Sequence, residues 1–271
     1  MSTTQTFLPQ EGIRTGRVRI GHSNVDVVTY KEALDRLVEL AETPSGAAQV
    51  VTPNAQHVVL LEGDPYLRRI YSEAALVVPD GISLVYAARL LGKPLKGRVT
   101  GVDLFHGLCG RAAERGLGVF LLGGRRGAAE EAVAQLKSNY PKLNVVGTCC
   151  PPYGFHLREE GLGAVAQAIL EARPDILFVA LGAPKQEYWI HEHGTNLGVP
   201  LSIGIGGSFE MVSGMTRRAP RWLQAAGLEW LFRLALEPRR LWRRYLIGNV
   251  QFLAILLRQM IGSGKSSGAK R

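Results

Sequence analysis

Five short clusters in this sequence set a polar or charged side chain beside glycine or proline, each directly after an apolar run. They are Thr52-Pro53-Asn54, Pro79-Asp80-Gly81, Gly123-Gly124-Arg125-Arg126, Gly182-Ala183-Pro184-Lys185-Gln186 and Gly206-Gly207-Ser208-Phe209-Glu210. A lone carboxylate such as Asp80 can act as a general base. Glycines that open a helix present backbone N–H groups suited to a phosphate. Each cluster also has a purely structural use. Asp80 before Gly81, or Asn54 before Ala55, suits a helix N-cap, and Gly123-Gly124 suits a tight strand-to-helix turn. Neither G-x-G-x-x-G nor G-x-x-x-x-G-K-[ST] is present, so neither a dinucleotide site nor a P-loop is indicated. His191-x-His193 would point its rings to different faces of a helix, which argues against a chelate. With no Asp-x-Asp and no metal-ligand spacing, no metal and no cofactor are expected. A nucleotide leaving group would then rely on cations and backbone amides.

The elements that must position these clusters alternate between short β-rich runs and helices. Val25–Val28 leads into Thr29-x-x-Glu32, a capping-box pattern. Further strands are expected at Gln49–Thr52, Leu76–Val78, Val119–Leu122, Val145–Thr148, Ile176–Leu181 and Leu201–Ile205. Asn54 and Asp64-Pro65 mark helix starts. Unbroken apolar strands separated by helices predict an α/β fold, a mostly parallel, Rossmann-like sheet with helices on both faces. Such sheets bind ligands beyond the carboxyl ends of their strands, so all five clusters should open toward one edge.

Strand signals stop near Ser213, which divides the chain into an α/β domain over residues 1–213 and a basic helical appendage over residues 214–271. The formal net charge of +9 conceals this split. From Arg217 onward twelve Lys and Arg face only Glu229 and Glu237, a net of +10, whereas the first 216 residues carry 20 basic and 21 acidic side chains. Such asymmetry selects a polyanionic partner, an anionic membrane face or a nucleic acid. Trp222, Trp230, Phe232 and Trp242 interleave with Arg218, Arg221, Arg233, Arg239, Arg240, Arg243 and Arg244. That mixture suits a lipid headgroup layer and also a nucleic-acid backbone. Tyr245–Ile261 is interrupted by Asn249, Gln251, Arg258 and Gln259, so a peripheral rather than a spanning contact is expected. Met1 to Gly21 lacks the apolar stretch of a secretory signal. Cys109, Cys149 and Cys150 form no C-x-x-C pair. Both features fit a cytoplasmic protein.

Taken in order, the blocks resemble the WecG/TagA/CpsF family of bacterial glycosyltransferases. The resemblance rests on Thr52-Pro53-Asn54, Pro79-Asp80-Gly81, Gly97 through Asp103, Leu121 through Gly124, Leu181 through Glu187 and Gly204 through Phe209. It continues through Arg218 to Trp222, Gly227 to Arg233, and Glu237 to Tyr245. It implies inverting, metal-independent transfer of a sugar, of N-acetylmannosamine type or a related hexose, from a UDP donor to a polyprenyl-diphosphate-linked saccharide. The setting would be cell-envelope or exopolysaccharide synthesis.

On that resemblance Asp80 matches the proposed general base. Thr52 and Asn54 match positions that hold the sugars, and Arg98 and Gln186 match residues implicated in activity. Arg98 and the backbone amides near Gly123, Gly124 and Gly206 could meet the departing diphosphate. Glu210 stands where the family often carries Asp; it would keep a hydrogen bond to the nucleoside or loosen donor choice. Arg217, Arg218 and Arg221 lie close enough to the core in sequence for some of them to neutralise the acceptor's diphosphate. The expected partners are a UDP-sugar, the lipid-linked acceptor and an anionic membrane surface on the inner face of the cell membrane; self-association is left open. No nucleic acid is expected, because the core has no nucleic-acid motif. Two other classes compete: a nucleotide-sugar-modifying enzyme such as an epimerase, and a nucleic-acid-binding protein using the tail.

Overall fold

Runs such as Val50-Val51 and Ile176–Ala180 have no polar side, so both of their faces must be covered. The structure, a computed structural model, describes residues 16–43, 47–152, 154–155 and 159–267, without the side chains of Ala225, Arg240, Arg244 and 263–267. Most of the N-terminal stretch and the tail cations Arg240, Arg244, Lys265, Lys270 and Arg271 therefore lie outside the described side chains. Six strands form one all-parallel sheet. Across the sheet they run β4 (Leu76–Val77), β3 (Ala48–Val51), β8 (Leu201–Gly204), β7 (Ile176–Ala180), β5 (Gly118–Gly123) and β6 (Asn144–Cys149). All six were expected, to within a residue or two at their ends.

Side chains alternate between the two faces as the pleat requires. Ile176, Phe178 and Ala180 pack with α1 (Tyr30–Ala41), α5 (Gly101–Arg115), α6 (Ala128–Asn139) and the short α9 (Ser208–Val212). Leu177 and Val179 meet α7 (Glu159–Ala172) and α8 (Lys185–His193) on the other face. Val51 joins α2 (Ala55–Gly63), α3 (Pro65–Glu73) and α4 (Ile82–Leu90). The Thr29/Glu32 capping box starts α1, and Asp64 caps α3 with Pro65 at its first position.

An antiparallel hairpin of β1 (Arg17–Ile20) and β2 (Ser23–Asp26) lies outside the main sheet. The sequence reading did not include β1 and set the second strand two residues late. Asp26 explains the hairpin's position: its Oδ1 accepts from Arg17 at 2.8 Å, and its Oδ2 accepts the Val77 N–H at 2.8 Å. That second bond satisfies an amide on the edge strand β4.

Beyond Ser213 the described chain is helical: α10 (Arg221–Ala225), α11 (Glu229–Leu236), α12 (Pro238–Trp242), a π-helical turn over Arg243–Ile247, and α13 (Gly248–Ser267). α13 seats Phe252, Ile255 and Leu256 in the cluster around α2. Its Gln259 accepts the Gly21 N–H and donates to the Arg19 carbonyl, both at 2.8 Å, which ties it to the hairpin. Val250, Leu253, Leu257 and Ile261 form a second stripe at helical spacing, and each is at least half exposed. By length and composition Tyr245–Gly262 is apolar enough to cross a membrane, although its other side rests on protein.

Phe105 anchors the sheet face beneath the site, with ring centroids 4.8 Å from Phe178 and 5.3 Å from Phe209. Phe105→Ala should cost about 3–5 kcal/mol in denaturant unfolding, as expected for a large aromatic removed from a close-packed core.

Candidate active site

Because every strand of the sheet runs the same way, the five clusters share its carboxyl edge. The segments after β3 and β4 are strapped together there. The Pro53 carbonyl accepts from Asp80 at 3.0 Å and from Gly81 at 3.2 Å, and the Pro79 carbonyl accepts from Val99 at 2.9 Å. Gly81 is needed for this approach, since a Cβ at that position would sit 2.9 Å from the Asn54 Cβ.

Asp80 does not cap the helix that follows it in sequence. α4 begins at Gly81 with no side-chain cap, and Asp80 Oδ1 instead accepts the Gly101 N–H of α5 at 3.0 Å. Burial pushes its carboxyl above the usual range, against the Gly101 hydrogen bond. The Glu229 carboxylate adds to the rise, while Arg98 and His57 oppose it. A carboxylate raised in this way is a better base near neutral pH.

Two arginines stand near it. Arg98 Nη1 lies 3.1 Å from Glu229 Oε2. Arg218 grips Asp103 with two bonds of 2.6 and 3.0 Å, and its Nε lies 3.7 Å from Glu229 Oε1. Burial works against the Asp103 carboxylate, but Arg218 and the Thr100 hydroxyl outweigh it and hold its carboxyl below the usual range. The segment after Ser213 thus enters the site through Arg218 and Glu229. Arg217 and Arg221 are exposed and make no ion pair among the described residues.

The remaining residues form the floor. The Thr52 hydroxyl donates to the Gly204 carbonyl at 3.0 Å, across the β3–β8 boundary. Asn54 caps α2 through Oδ1, and its own N–H donates to His57 Nδ1 at 3.2 Å. Gln186 accepts the Gly206 N–H at 3.0 Å and donates to Glu187 Oε1 at 2.9 Å. Gly204 leaves room for it, because a Cβ there would approach Gln186 Nε2 to 2.6 Å. His57 Nε2 and Glu187 Oε1 lie 3.6 Å apart, both buried.

Gly123 and Gly124 adopt φ of +95° and +80°, the left-handed region that favours glycine. Their turn is braced from within: Gly124 N–H donates to the Ala180 carbonyl at 2.9 Å, and Arg125 N–H donates to Glu210 Oε1 at 2.8 Å. These two amides are therefore engaged within the protein. The buried Glu210 Oε2 has no hydrogen-bond partner among the described residues.

The structure therefore gathers Asp80, Arg98, Arg218, Thr52, Asn54 and Gln186 at the β3, β4 and β8 ends. It sets Gly123, Gly124 and Glu210 at the β5 turn. Thr100, Asp103, Glu229, His57 and Glu187 were not singled out from the sequence. Thr100-x-x-Asp103 carries a readable capping pattern; Glu229 and Glu187 reach partners distant in the chain, and His57 pairs with nearby Asn54 as well as with distant Glu187. Among the described residues no group of three or more His, Cys, Asp or Glu side chains could hold a metal ion.

A parallel α/β sheet whose carboxyl edge gathers a carboxylate of raised basicity and two guanidinium groups has the parts of a group-transfer enzyme. Residues 18–266 match the Glycosyl transferase WecG/TagA/CpsF family; the chain belongs to this family and is a glycosyltransferase. It is 35% identical over 199 residues, 73% of this chain and 75% of the relative, to an N-acetylglucosaminyldiphosphoundecaprenol N-acetyl-beta-D-mannosaminyltransferase of Bacillus spizizenii. It is 37% identical over 177 residues, 65% of this chain and 66% of the relative, to the protein of that name from Bacillus subtilis.

Asp80 also makes a stability prediction. Its raised carboxyl favours the folded state below the unfolded carboxylate range of about 3.9, and that contribution is lost as pH rises through the raised value. Asp80→Asn keeps an acceptor for Gly101 without a buried charge. Its melting temperature at pH 7 should equal or exceed the parent's, with the difference shrinking on acidification.

Proposed function

We propose that this glycosyltransferase moves a sugar of N-acetylmannosamine type, or a related hexose, from a UDP-sugar to a polyprenyl-diphosphate-linked saccharide with inversion and without a metal. The names of its relatives support the sugar and the lipid-linked acceptor. The observation that carries the mechanism is the half-buried Asp80 carboxylate, raised in basicity and set near Arg98 and Arg218. Asp80 takes the proton of the acceptor hydroxyl as that oxygen bonds to the anomeric carbon. The bond from that carbon to the diphosphate breaks, and UDP leaves with the electron pair. Arg98 meets the charge that develops there. Thr52, Asn54 and Gln186 hold the sugars, the β5 turn with Glu210 faces the nucleoside side, and Arg217, Arg218 and Arg221 serve the acceptor's diphosphate.

The segment from 214 onward doubles as the membrane contact, on the inner face of the cell membrane. Its support is the exposed stripe of α13 together with the exposed Trp222 and Trp242 among arginines. Aromatic rings at headgroup depth and cations on lipid phosphates would act together there.

With UDP-N-acetylmannosamine and a short-chain polyprenyl-diphosphate-N-acetylglucosamine, read by mass spectrometry, Asp80→Asn should lower transfer by roughly 10²–10⁴-fold. Full activity in that variant would sink the base assignment. Removing α13 would uncover the α2 core, so the membrane contact is better tested by replacing Leu253, Leu257 and Ile261 together with serine. That variant should sediment less with anionic liposomes, and unchanged partition would refute the contact.

A further inference from the structure

Glu229 comes from α11, yet its carboxylate lies at the catalytic edge and touches two guanidinium groups that arrive from different directions. Oε2 is 3.1 Å from Arg98 Nη1, and Oε1 is 3.7 Å from Arg218 Nε. Both Glu229 and Arg98 are largely buried there, each with a side chain 16% exposed. The second arginine also holds Asp103, which is fixed to Thr100 at 2.6 Å beside the start of α5. This group of five therefore sets Asp80, Asp103 and Glu229 against Arg98 and Arg218. A diphosphate brings at least two further negative charges to that group. A guanidinium that exchanges its present carboxylate for phosphate oxygens would relieve the repulsion this charge brings.

We infer that Glu229 is a positioning residue that occupies Arg98 and Arg218 before substrate binds and is displaced by the substrates' diphosphates, the donor's at Arg98 and the acceptor's at Arg218. This assignment rests on the proposed diphosphate role of the two arginines. Of the two carboxylates, Glu229 is the exchangeable one. Asp103 is held by two short bonds and a hydroxyl, whereas Glu229 makes one hydrogen bond and one longer ion pair. Glu229 also acts on the base. Asp80 is surrounded by the Gly101 N–H, Arg98, His57, Arg218, Tyr71 and Glu229, and Glu229 is the neighbouring carboxylate that raises it.

The test is Glu229→Gln in the full chain, with binding of inorganic diphosphate and of UDP measured by calorimetry and the pH profile of kcat/KM for transfer. Both ligands should bind about threefold or more tightly, the scale of one partly screened ion pair. The acid limb of the profile should move to lower pH, because Asp80 loses a like charge. Glu229→Asp, which keeps the charge on a shorter arm, should leave the acid limb near its original place. Unchanged or weaker diphosphate binding in Glu229→Gln would overturn the placeholder role, as would failure of both variants to fold, which would make Glu229 a strut. Arg98→Ala separates the two layers. If it weakens diphosphate binding while Glu229→Gln does not tighten it, only the Glu229 assignment falls. If Arg98→Ala leaves binding unchanged, the arginine reading falls and the Glu229 assignment falls with it.

Discussion

The hydrogen bond from the Gly101 N–H to the Asp80 carboxylate is the contact on which the rest of the site depends. It joins the end of an edge strand to the start of a helix that begins twenty-one residues later in the chain. With that helix start fixed, Thr100 bonds to Asp103, and Asp103 receives Arg218. Arg218 lies against Glu229, and Glu229 against Arg98. A succession of polar contacts thus leads from β4 into the C-terminal segment and back to the loop before α5. Burial keeps the cost of the charged form high at Asp80, and the first amides of α5 repay part of it. The result is a carboxylate whose desolvation raises its proton affinity while one of its oxygens is anchored.

Much of the frame was legible because it rests on local pattern. The apolar runs at Val50-Val51, Ile176–Ala180 and Leu201–Gly204 could be nothing but doubly covered strands. Thr29 with Glu32 and Asp64 with Pro65 announced their helices through side chains three residues or fewer away. Given parallel strands, the shared edge followed without knowledge of their order. What stayed hidden depends on pairing between distant residues. β1, Arg17-Val18-Arg19-Ile20, alternates basic and apolar residues and so lacks the unbroken apolar run that marked the sheet strands. Asp80 was read as a base or as a cap for the next helix; its side chain does cap a helix, but that helix is α5 rather than α4. Nothing in the spacing of Glu229 or Glu187 reveals partners more than a hundred residues away.

The strong positive charge of the C-terminal segment is not one undifferentiated surface. Arg218 is committed to the site through Asp103, and Arg125 of the core draws on Glu237 of that segment at 2.9 Å. Its two acidic residues thus both pair with core arginines, while Arg217 and Arg221 of the segment are exposed. Toward the catalytic edge the segment presents both signs, Arg218 and Glu229.

The seating of α13 on the hairpin and α2 has a consequence for how the molecule comes into being. The hairpin is among the first described elements to leave the ribosome, and α13 is the last. Gln259 bridges to Gly21 across 238 positions, and Phe252, Ile255 and Leu256 complete a cluster whose other members are made far earlier. Until α13 emerges, Val58, Leu61 and their neighbours lack that cover, and domains assemble as units during synthesis. Among the described elements, the one translated last therefore closes the one translated first, so this part of the core is completed by the same helix that bears the outer apolar stripe.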